Sequence, residues 1–235
     1  MANIVNLFKF IESKRPKYTI PLKLKLINNL PITKEELNVR GYLDLARSKI
    51  QSLPDNLKVG GSLNLSDTKI QSLPNNLKVN GDLDLRNTPI QSLPDNLKVL
   101  GSLNLSNTQI KSLPDNFIVN GYLDLGNTPI QSLPDILHVG ANLYLSNTPI
   151  KSLPDNFIVN GYLDLGNTPI QSLPDNLKVN GDLNLSYTKI ESLPNNLTVR
   201  GILDLERTPI SKKYTKEQVV KMIKDKGGSV KAIYI

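Results

Sequence analysis

The chain has no cysteine, no tryptophan and a single histidine, His138. Without cysteine it forms no disulfide, offers no thiolate nucleophile and builds no cysteine-based metal site. That absence also fits a reducing compartment. Aromatic residues are only 5% of the total, so any core must be packed from Leu, Ile and Val. No apolar run approaches the roughly 18 residues that a membrane span needs. The opening MANIVNLFKFIESKRP is broken by Lys9 and lacks a small-residue cleavage site, so it does not read as a signal peptide. The expectation is a cytoplasmic protein, in the host cytoplasm if the source is a virus. Heavy use of Lys, Asn and Ile points to an AT-rich genome such as that of a phage, a virus or a low-GC bacterium.

The net charge of +7 is unevenly placed. Residues 1–40 carry eight Lys/Arg against three Asp/Glu, and residues 201–235 carry eight against four. The stretch between them, 41–200, carries twelve against fourteen and is nearly neutral. A nucleic-acid reader usually has a basic stripe along its working surface, and the middle of this chain has none. Solubility and protection of exposed ends account for the terminal charge.

What the chain has in abundance is repetition. KSLPDNFIVNGYLDLGNTPI occurs at Lys111–Ile130 and again, letter for letter, at Lys151–Ile170. The identity extends to Asp135 and Asp175, so a two-coil unit is duplicated forty residues apart. Looser copies fill Gly41–Ile210 at a spacing of twenty, in the form GxLxLxxTxIxSLPxNLxVx. A fixed period of this length is the signature of a solenoid. The second coil supplies six inward residues, Leu63, Leu65, Ile70, Leu73, Leu77 and Val79. Stacked on their equivalents, they make a continuous core that no single repeat could bury alone.

The remaining positions define the coil. LxL reads as a short strand that pairs in parallel with its neighbours. The Gly that opens each coil, replaced only by Ala141, marks a sharp corner or a close backbone approach. SLP fixes a turn, and the Asn column at Asn56, Asn76, Asn96, Asn116, Asn156, Asn176 and Asn196 suits turn backbone. Outside the array, apolar spacing predicts a helix over Asn3–Ser13. Alternation in TIPLKLKLI predicts a first, irregular strand, and Leu30–Arg40 is a degenerate entry coil. Thr215–Gln218 is a capping box for a helix that Gly227 and Gly228 stop, and Ser229–Ile235 is a final strand. The expected fold is a repeat solenoid, mainly β, with parallel strands in 20-residue coils and short helical caps at both ends. Its divisions are a cap at 1–40, eight and a half repeats over 41–210, and a helix–strand cap at 211–235.

LxLxxTxIxSLPxxLxV resembles the leucine-rich repeat, in the short twenty-residue LP-containing form of bacterial effector proteins. The resemblance covers about 170 of the 235 residues. It implies a solenoid scaffold for protein binding. Two features depart from the family pattern. Thr68, Thr88, Thr108, Thr128, Thr148, Thr168, Thr188 and Thr208, with Ser48 in the first coil, stand where the family usually has Asn. An added LxVxG segment also lengthens the spacing between LPxxL and LxL. Effector relatives with a catalytic domain depend on a cysteine, so the resemblance extends to the scaffold only.

Candidate chemistry is sparse. His138 occupies a position that is elsewhere Lys or Ile, which makes it an incidental surface residue. The strand column reads Asp44, Asn64, Asp84, Asn104, Asp124, Tyr144, Asp164, Asn184 and Asp204. Carboxylates two coils apart are about 10 Å from each other, too far for a retaining glycosidase pair and without a partner column. The Gly-rich nonapeptide of calcium-binding β-rolls is absent. A Thr ladder on a flat solenoid can bind ice, but this one is a single column without a TxT pair. The outstanding patch is Tyr122, Tyr144 and Tyr162, flanked by Asp84, Asp124, Asp164 and Tyr42, with Gly126 and Gly166 leaving space beside it. Exposed Tyr among Asp and Asn suits a protein partner. The sequence therefore predicts a non-enzymatic protein-binding scaffold with no cofactor, no metal and no catalytic set, directed at a host protein. The alternative is an electrostatic nucleic-acid or phosphate-ligand binder using the terminal Lys/Arg and Lys58, Lys78 and Lys98. A structural spacer ranks third.

Overall fold

The computed structural model describes residues 6, 7, 10, 13, 14 and 20–235. The helix expected over Asn3–Ser13 falls largely outside the described residues. From Asn38 onward the chain winds into coils of twenty residues, each contributing two short parallel strands. One row of strands runs from Asn38–Val39 through Lys58–Val59 and Lys78–Val79 to Lys178–Val179. The other runs from Leu43–Asp44 through Leu63–Asn64 to Leu183–Asn184. Strand Thr198–Asp204 spans both rows and joins them at the end.

Register never slips within the array. Leu123 stands opposite Leu103 and Leu143, each twenty residues away. The reason is the side-chain period: a slip of one residue would turn every core Leu outward. All six expected inward positions are buried, from Leu63, Leu65 and Ile70 to Leu73, Leu77 and Val79. The Thr column joins them. Thr68 through Thr208 are buried, and each Oγ1 donates to the carbonyl of the Leu three residues earlier, as in Thr108 to Leu105 at 2.6 Å. A buried hydroxyl is stable only when bonded, and a buried Thr column presents no ladder to ice. Ser48, which replaces Thr in the first coil, leaves its Oγ without a partner among the described residues.

Two details of the coil go beyond the sequence reading. At the Gly corner the backbone bends and also makes the close approach expected there. Gly101 N donates to Gly81 O at 3.0 Å, and a Cβ on Gly101 would lie 2.7 Å from the Gly81 carbonyl carbon. The second concerns left-handed backbone. It occurs at Asn56, Asn116, Asn156, Asn176 and Asn196, and also in a second column just before Thr. That column holds Asp67, Asn87, Asn107, Asn127, Asn147 and Asn167, with φ of 57–59° except 56° at Asn167. Asn and Asp tolerate this region best. The same conformation is imposed on Arg47, Tyr187 and Arg207.

At the N-terminal end, Leu22–Ile27 is a helix and not the expected strand. LKLKLI alternates, yet a helix lets Leu22, Leu26 and Ile27 pack on the core while Leu24 stays exposed. A strand would have aligned Leu22, Leu24 and Leu26 on one face; the helix instead brings Ile27 onto the core beside Leu22 and Leu26. Lys25 pairs with Glu36 at 2.9 Å and ties the helix to the entry coil. The C-terminal end follows the sequence closely. Thr215 and Gln218 form a reciprocal capping box for helix Lys216–Asp225, and Gly227 adopts φ +77°. A short helix, Pro209–Lys213, precedes it. Strand Ser229–Tyr234 then pairs with Thr198–Asp204 and ends the sheet.

Candidate functional site

The surface of the Leu-x-Leu row is built from two residues per coil. The residue between the two core leucines is only half buried in every coil from Asp44 to Asp204. Wherever it is Asp or Asn, its side chain turns back on its own strand. Asp124 Oδ1 accepts from Gly126 N at 2.9 Å, Asp164 Oδ1 from Gly166 N at 3.0 Å, and Asn104 Oδ1 from Ser106 N at 3.0 Å. Asp84 and Asp204 make the same bond to Arg86 and Glu206. These are Asx turns, and either Asp or Asn can make them. Turn chemistry therefore explains the choice of Asp or Asn but not the choice of charge.

The residue before each first Leu works between coils. Where the coil before has Ser, Asp or Asn at this position, its N–H donates to that side-chain oxygen. Ser102 N donates to Asp82 Oδ1 at 2.7 Å, Tyr162 N to Asn142 Oδ1 at 2.9 Å, and Ile202 N to Asp182 Oδ1 at 2.7 Å. Tyr42, Tyr122 and Tyr162 stand in this column without providing such a bond among the described residues.

The structure brings Tyr122, Tyr144 and Tyr162 together. Tyr122 and Tyr144 meet edge to face at 6.1 Å and 82°, and Tyr144 and Tyr162 at 5.7 Å and 68°. The Tyr144 hydroxyl accepts from Asn142 Nδ2 at 2.9 Å. Tyr122 and Tyr144 come from different columns, so their contact is diagonal across neighbouring strands. Burial, joined by the Asp164 charge, pushes the Tyr162 phenol up to about 12. Burial also raises Tyr122, with Asp82, Asp84 and Asp124 adding to the shift. Both phenols are neutral donors at physiological pH.

Depressions flank the trio on either side. One, of about 470 Å³, is lined by Tyr42, Ser62, Asn64, Asp82, Asp84 and Tyr122. The other, of about 510 Å³, lies among Tyr162, Asp182, Asn184, Ile202, Asp204 and Tyr234. The tyrosines form the saddle between them. Tyr42 is thus on the same face as the trio but remote from it, bonded to Asn64 Nδ2 at 3.3 Å. Tyr234 was hidden from the sequence because it falls outside the twenty-residue period. Only its pairing opposite Asp204 places it in the strand column.

Electrostatics divide the molecule by face. Burial lifts the carboxyl groups of Asp84 and Asp124 above the usual range. For Asp124 the charges of Asp164 and Asp84 add to the shift. On the other row, Lys58, Lys78 and Lys98 stand in register and point outward. The positions that follow are Ile118 and His138, both exposed, so His138 sits far from any acidic cluster of the tyrosine face. Among the described residues no group of His, Asp and Glu is arranged to hold a metal ion. None of their helices is long and apolar enough to cross a membrane.

Parallel strands at a strict twenty-residue register, a Leu/Ile/Val core and a buried hydroxyl column on the Leu carbonyl now decide the architecture. The chain is a leucine-rich-repeat-like β-solenoid. A leucine-rich-repeat protein of Leptospira interrogans is similar at 20% identity, over 81% of this chain and 72% of that one, with a TM-score of 0.37. A likeness that loose carries no argument, and the assignment rests on the coil geometry. No protein-family model and no curated protein matches the solenoid.

Proposed function

We propose that this solenoid is a non-enzymatic scaffold that binds another protein through its Leu-x-Leu face, with Tyr122, Tyr144 and Tyr162 at the centre. The observation that carries the reading is the trio itself: three partly exposed rings in edge-to-face contact, with a groove on each side. Rigid aromatic area with a satisfied or neutral hydroxyl is the usual anchor of a protein interface. Asp84, Asp124, Asp164 and Tyr42 extend the same surface. The carboxylates support the reading because Asn would serve the Asx turn equally well and would avoid the cost of a half-buried charge. A phage, viral or bacterial origin and a host protein as target belong to the same proposal, on the strength of the Lys-, Asn- and Ile-rich composition.

The test is replacement of all three tyrosines by Ala in the full chain. Capture of a protein from host lysate is expected to be lost while the circular dichroism spectrum is unchanged, because none of the three contributes to the buried core. Full retention of capture would remove these residues from the site. Lys58, Lys78 and Lys98, aligned on the opposite row, favour a second reading as an anionic-ligand surface. A gel shift that weakens steeply with salt would support it.

A further inference from the structure

The carboxylates of the strand column occur at Asp44, Asp84, Asp124, Asp164 and Asp204, one in every second coil. Parallel register sets them on one line: Asp84 is opposite Asn104, Asn104 opposite Asp124, Asp124 opposite Tyr144, and Tyr144 opposite Asp164. With neighbouring strands about 4.8 Å apart, successive carboxylates are about 9.6 Å apart. Asp44 meets Lys23 at 3.7 Å and Asp84 meets Arg86 at 3.3 Å. Asp124, Asp164 and Asp204 have no salt-bridge partner among the described residues. Each commits Oδ1 to its Asx turn. Asp164 Oδ1 also accepts from Asn184 Nδ2 at 2.8 Å, and the Ser106 side chain lies close enough to act on the Asp124 carboxyl, but none of the three carries a cationic partner among the described residues.

A line of unpaired anions calls for a cationic occupant, and the spacing discriminates between conformations. A β-segment advances about 3.3 Å per residue with alternating faces, so cations on one face fall about 6.6 or 13 Å apart. An α-helix returns a side chain to the same face at i+7, about 10.5 Å along, and drifts from the line by nearly 1 Å per repeat. A polyproline-II helix advances about 3.1 Å per residue with three residues per turn. Every third side chain then points the same way, about 9.3 Å apart. Aromatic surfaces dock such segments, whose backbone is already extended and loses little entropy on binding. A cation close to a Tyr face gains further attraction.

We propose that the partner presents a polyproline-II segment with Lys or Arg at every third residue. Its cations sit on Asp124, Asp164 and Asp204, and its intervening residues lie against Tyr122, Tyr144 and Tyr162. The proposal rests on the reading of this face as a protein-binding surface.

The test uses a fluorescein-labelled twelve-residue peptide, (Lys-Pro-Pro)₄, and anisotropy with the full chain. Two comparisons accompany it: a peptide of equal composition with its lysines contiguous, and the triple variant D124N/D164N/D204N. Asn64, Asn104 and Asn184 already make the Asx turn, so the variant keeps its fold. Saturable binding of (Lys-Pro-Pro)₄ is expected, weakened about tenfold in the variant, as three exposed ion pairs would give. The contiguous-lysine peptide should bind more weakly than the periodic one. Equal binding to wild type and variant, or equal binding of the two peptides, would overturn the proposal. So would no binding of (Lys-Pro-Pro)₄ by a chain that still captures a lysate protein and loses it on replacement of the tyrosines. In that last case the protein-binding reading stands and the basic segment falls.

Discussion

Asp124 shows how one residue can serve the fold while carrying a charge the fold does not need. Its Oδ1 closes an Asx turn on Gly126, as Asn104 does on Ser106 one coil earlier. Burial, with Asp164 and Asp84 nearby, raises its carboxyl above the ordinary range. The folded state therefore favours the protonated form. Its contribution to stability is fully present below the unfolded pKa, about 3.9, and is lost as pH rises through the folded value. Asp124→Asn keeps the turn and removes the charge. The variant should melt about 1–2 °C higher than wild type at pH 7, a small gain because a half-exposed charge is well screened. At a pH of about 2.5 the two should melt together, since both side chains are then neutral. Thermal denaturation at the two pH values checks this, and a lower melting temperature at pH 7 would refute it. The Asp/Asn column was legible in the sequence, but its Asx role was not, because alternation shows only that a side chain faces outward. The left-handed column before Thr left a readable trace in Asn87, Asn107, Asn127, Asn147 and Asn167. At Arg47, Tyr187 and Arg207 there was none, since there the neighbouring coils impose the conformation.

Within one coil, the Gly corner sets how closely the next can approach. A Cβ on Gly181 would lie 2.7 Å from the Gly161 carbonyl carbon and 2.9 Å from its oxygen. Ala141 carries a Cβ at the equivalent corner, so one methyl is accommodated there, and a β-branched side chain demands more room against the same backbone. Gly181→Val should therefore destabilise the solenoid by about 1–3 kcal/mol, in the range of overpacking changes elsewhere. Urea denaturation would read the shift, and an unchanged midpoint would show that the coils separate more easily than the hydrogen bonds between Gly corners suggest. The C-terminal helix was readable because a capping box and two glycines are local signals, satisfied within a few residues. The helix Leu22–Ile27 was misread as a strand for the opposite reason. Its alternation is local, while its burial is decided by the exposed end of the first coil, against which Leu22, Leu26 and Ile27 pack. Six residues carry too little pattern to outvote that contact.

Taken whole, the solenoid is a stack in which each coil bonds only to its neighbours, so coils can be removed if the register is kept. Deletion of residues 131–170 joins Ile130 to Gln171 and recreates the native run TPIQSLPDNLKVNGDL. The shortened chain should fold cooperatively, with the stack reduced by about 10 Å and partner capture lost with Tyr144 and Tyr162. Small-angle scattering with circular dichroism checks the first two outcomes, and an unfolded product would show that the array is not modular. The sequence alone determined the period, the parallel strands, the inward columns and the C-terminal cap. Each of these repeats or is settled by near neighbours, so each is written many times over or within a few residues. Only the tertiary structure decided which outward residues meet. Tyr122, Tyr144 and Tyr162 lie about twenty residues apart in two different columns, and Tyr234 lies outside the period altogether. The period already placed the trio in neighbouring coils of one face, but their edge-to-face contacts depend on side-chain direction across coils, and no single stretch of sequence encodes that.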